Sequence, residues 1–124
     1  IAEFSGERYV PSLDWPVISY EHWHRYLFAT ALARGKTVLD AACGTGYGTA
    51  LLHAAGAAAV VGVDIADSVI TAARPEMPEG VELHTGDVAD LALADASFDV
   101  VVSFETIEHV EDRDAVLDEF RDLI

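Results

Sequence analysis

Residues 37–48, T-V-L-D-A-A-C-G-T-G-Y-G, constrain this chain more than any other stretch. A short apolar run ends on an acid, Asp40, and glycine then fills three of the last five positions. Such a run reads as a buried strand, and glycines directly after it make a tight turn with little side chain in the way, so that a ligand can approach bare backbone.

The rest of the chain alternates in the same manner. Residues 1–16, with Gly6, Pro11 and Pro16 among the aromatics Phe4, Tyr9 and Trp15, show no period and read as an irregular arm. A helix is expected from an N-cap at Ser19 to a stop at Gly35, carrying Tyr20, Trp23, Leu27, Phe28, Ala31 and Leu32 at helical spacing on the face that packs. After the first strand, 37–40, come a helix near 47–55, a strand at 58–64, a helix at 67–73 halted before Pro75, and strands at 81–84 and 98–103. The runs A-A-V-V-G-V-D and F-D-V-V-V-S are continuously apolar, as in parallel strands buried on both faces. Residues 112–124 form an amphipathic helix through Val116, Leu117, Phe120, Leu123 and Ile124. Strands alternating with helices imply an α/β fold with a parallel sheet and right-handed crossovers. The expected division is 1–36, an arm and helix covering the site, and 37–124, the ligand-binding core.

Twenty-two acidic residues against 7 basic ones give a net charge of −15, a field that repels nucleic acid and anionic membrane surfaces. No apolar run reaches the ~18 residues of a membrane span. The single cysteine, Cys43, forms no internal disulfide, and a cytoplasmic location is the default expectation. There is no basic, apolar leader, but the chain starts at Ile1 rather than Met, so this says little.

The glycines fit neither common phosphate loop. No Lys follows them as a P-loop requires, and the dinucleotide pattern counted from Gly44 and Gly46 arrives at Thr49 instead of Gly or Ala. The remaining pattern, Asp40 followed by Gly44, Gly46 and Gly48, is joined in order by V-V-G-V-D-I with Asp64, T-G-D-V with Asp87, and D-A-S-F-D-V-V-V-S-F-E-T-I-E-H-V. On these four segments the chain resembles the class I S-adenosylmethionine-dependent methyltransferases, in particular the small-molecule group related to ubiquinone and menaquinone biosynthesis.

That resemblance implies a Rossmann-like parallel sheet of four strands in the order 3-2-1-4 with flanking helices, the N-terminal part of the family fold. It implies S-adenosylmethionine as methyl donor, S-adenosylhomocysteine as product, and a small-molecule acceptor at O, N or C. Asp40 would approach the ammonium group directly or through water, with backbone at Ala42, Cys43, Gly44 and Gly46 around the amino acid end. Asp64, about 20 residues beyond the glycines, would accept from the ribose hydroxyls. Ile65 and Val88 would pack on the adenine, Asp87 would accept from its amino group, and Phe104 would sit near the donor end. Tyr9, Tyr20 and His24 on the N-terminal cover are further candidates, and His109 is the candidate general base, since imidazole titrates near neutrality.

No metal is expected. His22 and His24, at i and i+2 on a helix, point about 200° apart and do not converge on one ion. Family members build seven strands, and this chain carries four, so a partial fold or a homodimer through the exposed edge of the fourth strand is expected. A cofactor-binding module without turnover, and more distantly an NAD-dependent oxidoreductase, are the alternatives.

Overall fold

The computed structural model describes residues 16–104, 106–107 and 110–124, with side chains from Trp23 onward. Tyr9, Tyr20, His22, Glu105, Glu108 and His109 therefore lie outside the described residues or side chains.

The elements run α1 (Pro16–Ala33), β1 (Thr37–Ala41), α2 (Tyr47–Ala54), β2 (Ala59–Asp64), α3 (Asp67–Ala73), a 3-10 turn (Arg74–Glu76), β3 (Val81–Thr85), β4 (Val100–Val102) and α4 (Arg113–Leu123). The four strands form one parallel sheet in the order β3-β2-β1-β4. In the register, Asp40 stands beside Gly62 on β2 and Val102 on β4. Side chains alternate between the two faces of a strand. Val38, Val60 and Val102 accordingly join Leu52 and α1 in one buried cluster, while Leu39 and Val63 join Leu91, Phe98 and Leu123 in another. Asp40 has the parity of Val38, so its carboxylate points toward α1 and α2.

Two boundaries move for local reasons. α1 begins at Pro16 rather than after Ser19; proline suits the first helical position because its missing N–H would have no intrahelical partner. β4 is shorter than expected because the N–H of Phe98 donates to the Leu123 carbonyl at 3.0 Å, tying residue 98 to α4 instead of the ladder. The outer edge of β4 has no partner strand among the described residues.

The face expected to pack from α1 is corrected. Tyr26, Ala29 and Ala33 are buried in the core, whereas Leu27, Phe28 and Leu32 are exposed, Phe28 at 67%. The small side chains of Ala29 and Ala33 let the helix backbone approach the sheet closely, and Tyr26 reaches inward between them and the turn. The bulkier stripe lies beside β4, where Phe28 and Leu32 border a shallow groove with Val100 and Val102. On α4, Val116 and Leu123 are fully buried, but Leu117 and Ile124 are exposed, so the packed stripe is narrower than expected.

Among the described residues no helix is long and apolar enough to cross a membrane.

Candidate functional site

A cavity of about 570 Å³ opens at the carboxyl ends of the strands, a size typical of small-molecule sites. The turn after β1 supplies one wall through Ala42, Cys43, Gly44 and Thr45. Asp64 and Ile65, at the end of β2, and Gly86 to Ala89, after β3, supply the next. Phe104 and Thr106 follow β4, Val110 to Asp112 and Val116 come from the approach to α4, and Arg25 and Tyr26 close the cavity from α1. Asp64, Asp87, Glu111 and Asp112 line it against a single arginine among its lining residues, so the wall favours a ligand carrying positive charge.

The turn and the acid are built as one piece. The Gly44 N–H donates to Asp64 Oδ2 at 2.8 Å and the Ala66 N–H donates to Oδ1 at 3.0 Å, fixing the plane of a carboxylate only 7% exposed. A carboxylate accepts up to about four hydrogen bonds, and these two from the backbone set its orientation. The Cys43 N–H donates to the Val63 carbonyl at 2.9 Å, which continues the β1–β2 pairing into the turn. Gly46, at φ 82°, then turns the chain into α2, a left-handed conformation that a residue with a Cβ adopts at a cost. Ala42 holds φ 64° at the cavity wall, a strained position for alanine.

Beneath this turn lies a buried polar cluster. Asp40 is fully buried and accepts from the Tyr26 hydroxyl at 3.1 Å on both oxygens and from Thr49 Oγ1 at 2.8 Å. Burial pushes its carboxyl from 3.8 up to about 7, against the two hydroxyl donors that lower it, with the nearby Asp64 adding a smaller upward push. Burial, then Asp40, likewise hold the Tyr26 hydroxyl well above its ordinary range. The Cys43 thiol is pushed far up by burial and by Asp40 and Asp64, so at neutral pH it stays protonated and is no nucleophile.

The raised Asp40 carboxyl has a defined sign for stability. The folded chain holds this proton more tightly than the unfolded one, so the contribution is full below 3.8 and is lost as pH rises through about 7. Across that window the stability of the wild type minus that of Asp40→Asn should fall by on the order of 1.4 kcal/mol per pH unit and then level off. Denaturant unfolding at a series of pH values checks this; a difference independent of pH would contradict it.

Residues 39–124 match the family described as Methyltransferase domain. The chain belongs to this methyltransferase family. A probable S-adenosylmethionine-dependent methyltransferase of Mycolicibacterium smegmatis is 37% identical over 114 residues, covering 88% of this chain and 42% of the relative. A ubiquinone biosynthesis O-methyltransferase of Neisseria meningitidis is 38% identical over 97 residues, covering 74% of this chain and 41% of the relative. Among solved structures, an S-adenosylmethionine dependent methyltransferase from Mesorhizobium loti superposes with a TM-score of 0.74 at 25% identity, over 83% of this chain and 48% of that one. The chain spans less than half the length of these curated relatives.

Of the residues singled out from the sequence, the methyltransferase domain brings Ala42, Cys43, Gly44, Asp64, Ile65, Asp87, Val88 and Phe104 together around the cavity. Asp87 is exposed and its Oδ1 accepts from the Ala89 N–H at 2.9 Å, which orders the turn that presents it. Asp40 and Gly46 are not on the cavity wall. Asp40 is held behind the turn by Tyr26 and Thr49, and Gly46 serves the turn itself. His24 does not line the cavity either. Sequence reasoning missed Tyr26 and the α4 approach at 110–116. For Tyr26 the available clue was its spacing with Ala29 and Ala33, at i, i+3 and i+7 along α1.

Proposed function

We propose that this methyltransferase domain binds S-adenosylmethionine in the cavity and takes part in methyl transfer to a small-molecule acceptor. The observation that carries the reading is Asp64, oriented by two backbone N–H groups at the end of β2 beside the glycine turn, where open α/β sheets bind ligands. The donor set fits the molecule: a fixed carboxylate suits a ribose diol, Ile65 and Val88 offer apolar faces to an adenine, and Asp87 stands ready for its amino group. Backbone at Ala42 to Gly44 faces the amino acid end, and the acidic lining suits a ligand bearing sulfonium and ammonium charges.

S-adenosylmethionine supplies an activated methyl group, whose bond to sulfur breaks as the bond to the acceptor forms. The protein's part is mainly to align the two and exclude water. Phe104 and Tyr26 wall the cavity from water on the side of β4 and α1. A base is needed only where the acceptor is a neutral hydroxyl, and His109 is the candidate for it in the sequence. Oxygen is the acceptor atom we favour, on the strength of the O-methyltransferase relative.

The second reading is a module that retains the cofactor without turnover. Calorimetry with S-adenosylhomocysteine and with NAD, followed by a methyl-transfer assay against hydroxylated metabolites, separates the readings. Micromolar binding of S-adenosylhomocysteine with none of NAD is expected. The opposite preference would return the chain to the oxidoreductases, and binding without any turnover would leave the module.

A further inference from the structure

We propose that Tyr26 is a positioning residue for the cavity: its hydroxyl on Asp40 and its ring over Gly48 tie α1 to the glycine turn, so that seating of α1 and occupation of the cavity are one coupled event.

The side chain is 5% exposed and meets β1, the start of α2 and the segment after β4. Its hydroxyl reaches Asp40 at the end of β1. Its edge meets Tyr47 at the start of α2, at 5.3 Å between centroids, and Phe104 beyond β4, at 5.2 Å. A Cβ on Gly48 would clash with the hydroxyl end of the Tyr26 ring, so the absence of a side chain there is what admits it. A plain core tyrosine would make the ring contacts and end there. This one also lines the cavity and places its polar end on a buried acid under the turn whose next N–H group, at Gly44, fixes Asp64.

Coupling follows from that placement. A ligand filling the cavity touches Tyr26 on one side and Gly44 and Asp64 on the other, and gains both sets of contacts only while α1 is seated. Whatever weakens the seating must then weaken the ligand, and the ligand must in turn hold α1 down.

The proposal rests on the binding of S-adenosylmethionine proposed above, and its test keeps the two apart. Amide hydrogen exchange is followed on the wild type and on Tyr26→Phe, which keeps the ring and removes the hydroxyl, with and without S-adenosylhomocysteine, whose affinity is measured in parallel. In Tyr26→Phe, α1 amides should exchange faster while those of β1 and β2 keep wild-type rates, affinity should fall roughly 5- to 10-fold, and the ligand-induced slowing of α1 should shrink. Wild-type affinity together with wild-type α1 exchange in Tyr26→Phe would overturn the proposal. Absence of binding by the wild type would instead sink the cofactor reading, and free-state exchange of α1 would still decide whether the tie exists. If Tyr26→Phe fails to fold, Asp40→Asn, which keeps an acceptor but loses the charge, is read by the same two measurements with the same expected directions.

Discussion

Asp64→Ala is expected to weaken S-adenosylhomocysteine by at least roughly 100-fold while the sheet stays folded. A hydrogen bond to a charged group contributes about 1.5–3 kcal/mol, and in the proposed binding mode, with both ribose hydroxyls on Asp64, the substitution removes two of them. The same substitution releases the Gly44 and Ala66 N–H groups from their acceptor, so part of the loss comes from a turn that is no longer held. Asp64→Asn separates the contributions. One amide oxygen still accepts, but the NH₂ group meets a backbone N–H donor, so an intermediate loss is expected. Calorimetry on the three proteins, with circular dichroism to verify folding, checks the order wild type, Asn, Ala. Equal affinity of Asp64→Ala and wild type would remove Asp64 from the site.

Gly48→Ala should destabilise the domain, against the rule for its local structure. Gly48 lies inside α2, where alanine is better than glycine by about 1 kcal/mol on helix propensity alone. The added methyl, however, would overlap the Tyr26 ring. Forcing a methyl into a filled core costs about 1–3 kcal/mol. If Tyr26 swings aside, Asp40 also loses a donor, which costs about another 1.5–3 kcal/mol wherever the carboxylate is ionised. The steric and polar losses exceed the propensity gain, and a net loss of roughly 2 kcal/mol or more is expected in denaturant unfolding. The sign should reverse on a Tyr26→Ala background, where the ring is gone and only the propensity gain remains. A stabilising Gly48→Ala in the otherwise wild-type chain would mean that Tyr26 does not occupy that space.

These two residues also mark how far the fold and site can be read from the chain. The strands were legible because their signal is local, short apolar runs bounded by glycines and acids, whereas their order β3-β2-β1-β4 and the candidate residues at their ends came only with the family resemblance. The full burial of Asp40 was not legible. Its position at the end of a strand suggests a ligand contact, but the parity it shares with Val38 turns it under α1 and α2, and parity has meaning only once the covering helices are known. The packing face of α1 failed for a related reason. Its sequence carries two stripes at helical spacing, one of bulky apolar residues and one of Tyr26, Ala29 and Ala33, and periodicity alone does not rank them. The second stripe wins because small residues allow close approach to the sheet and because a buried carboxylate demands the tyrosine hydroxyl. The three glycines likewise look alike in sequence but act differently: Gly44 faces the cavity, Gly46 makes the turn and Gly48 makes room for a side chain.

The proposed function requires that the cavity above the glycine turn take S-adenosylmethionine. Titration of the isotope-labelled chain with S-adenosylhomocysteine, followed by amide NMR, tests it most directly. Saturable shifts at Gly44, Asp64, Ile65, Asp87 and Val88, with the outer face of α3 unchanged, are the predicted result. A well-folded chain whose amides do not move at millimolar ligand, or move only along the groove between α1 and β4, would contradict it.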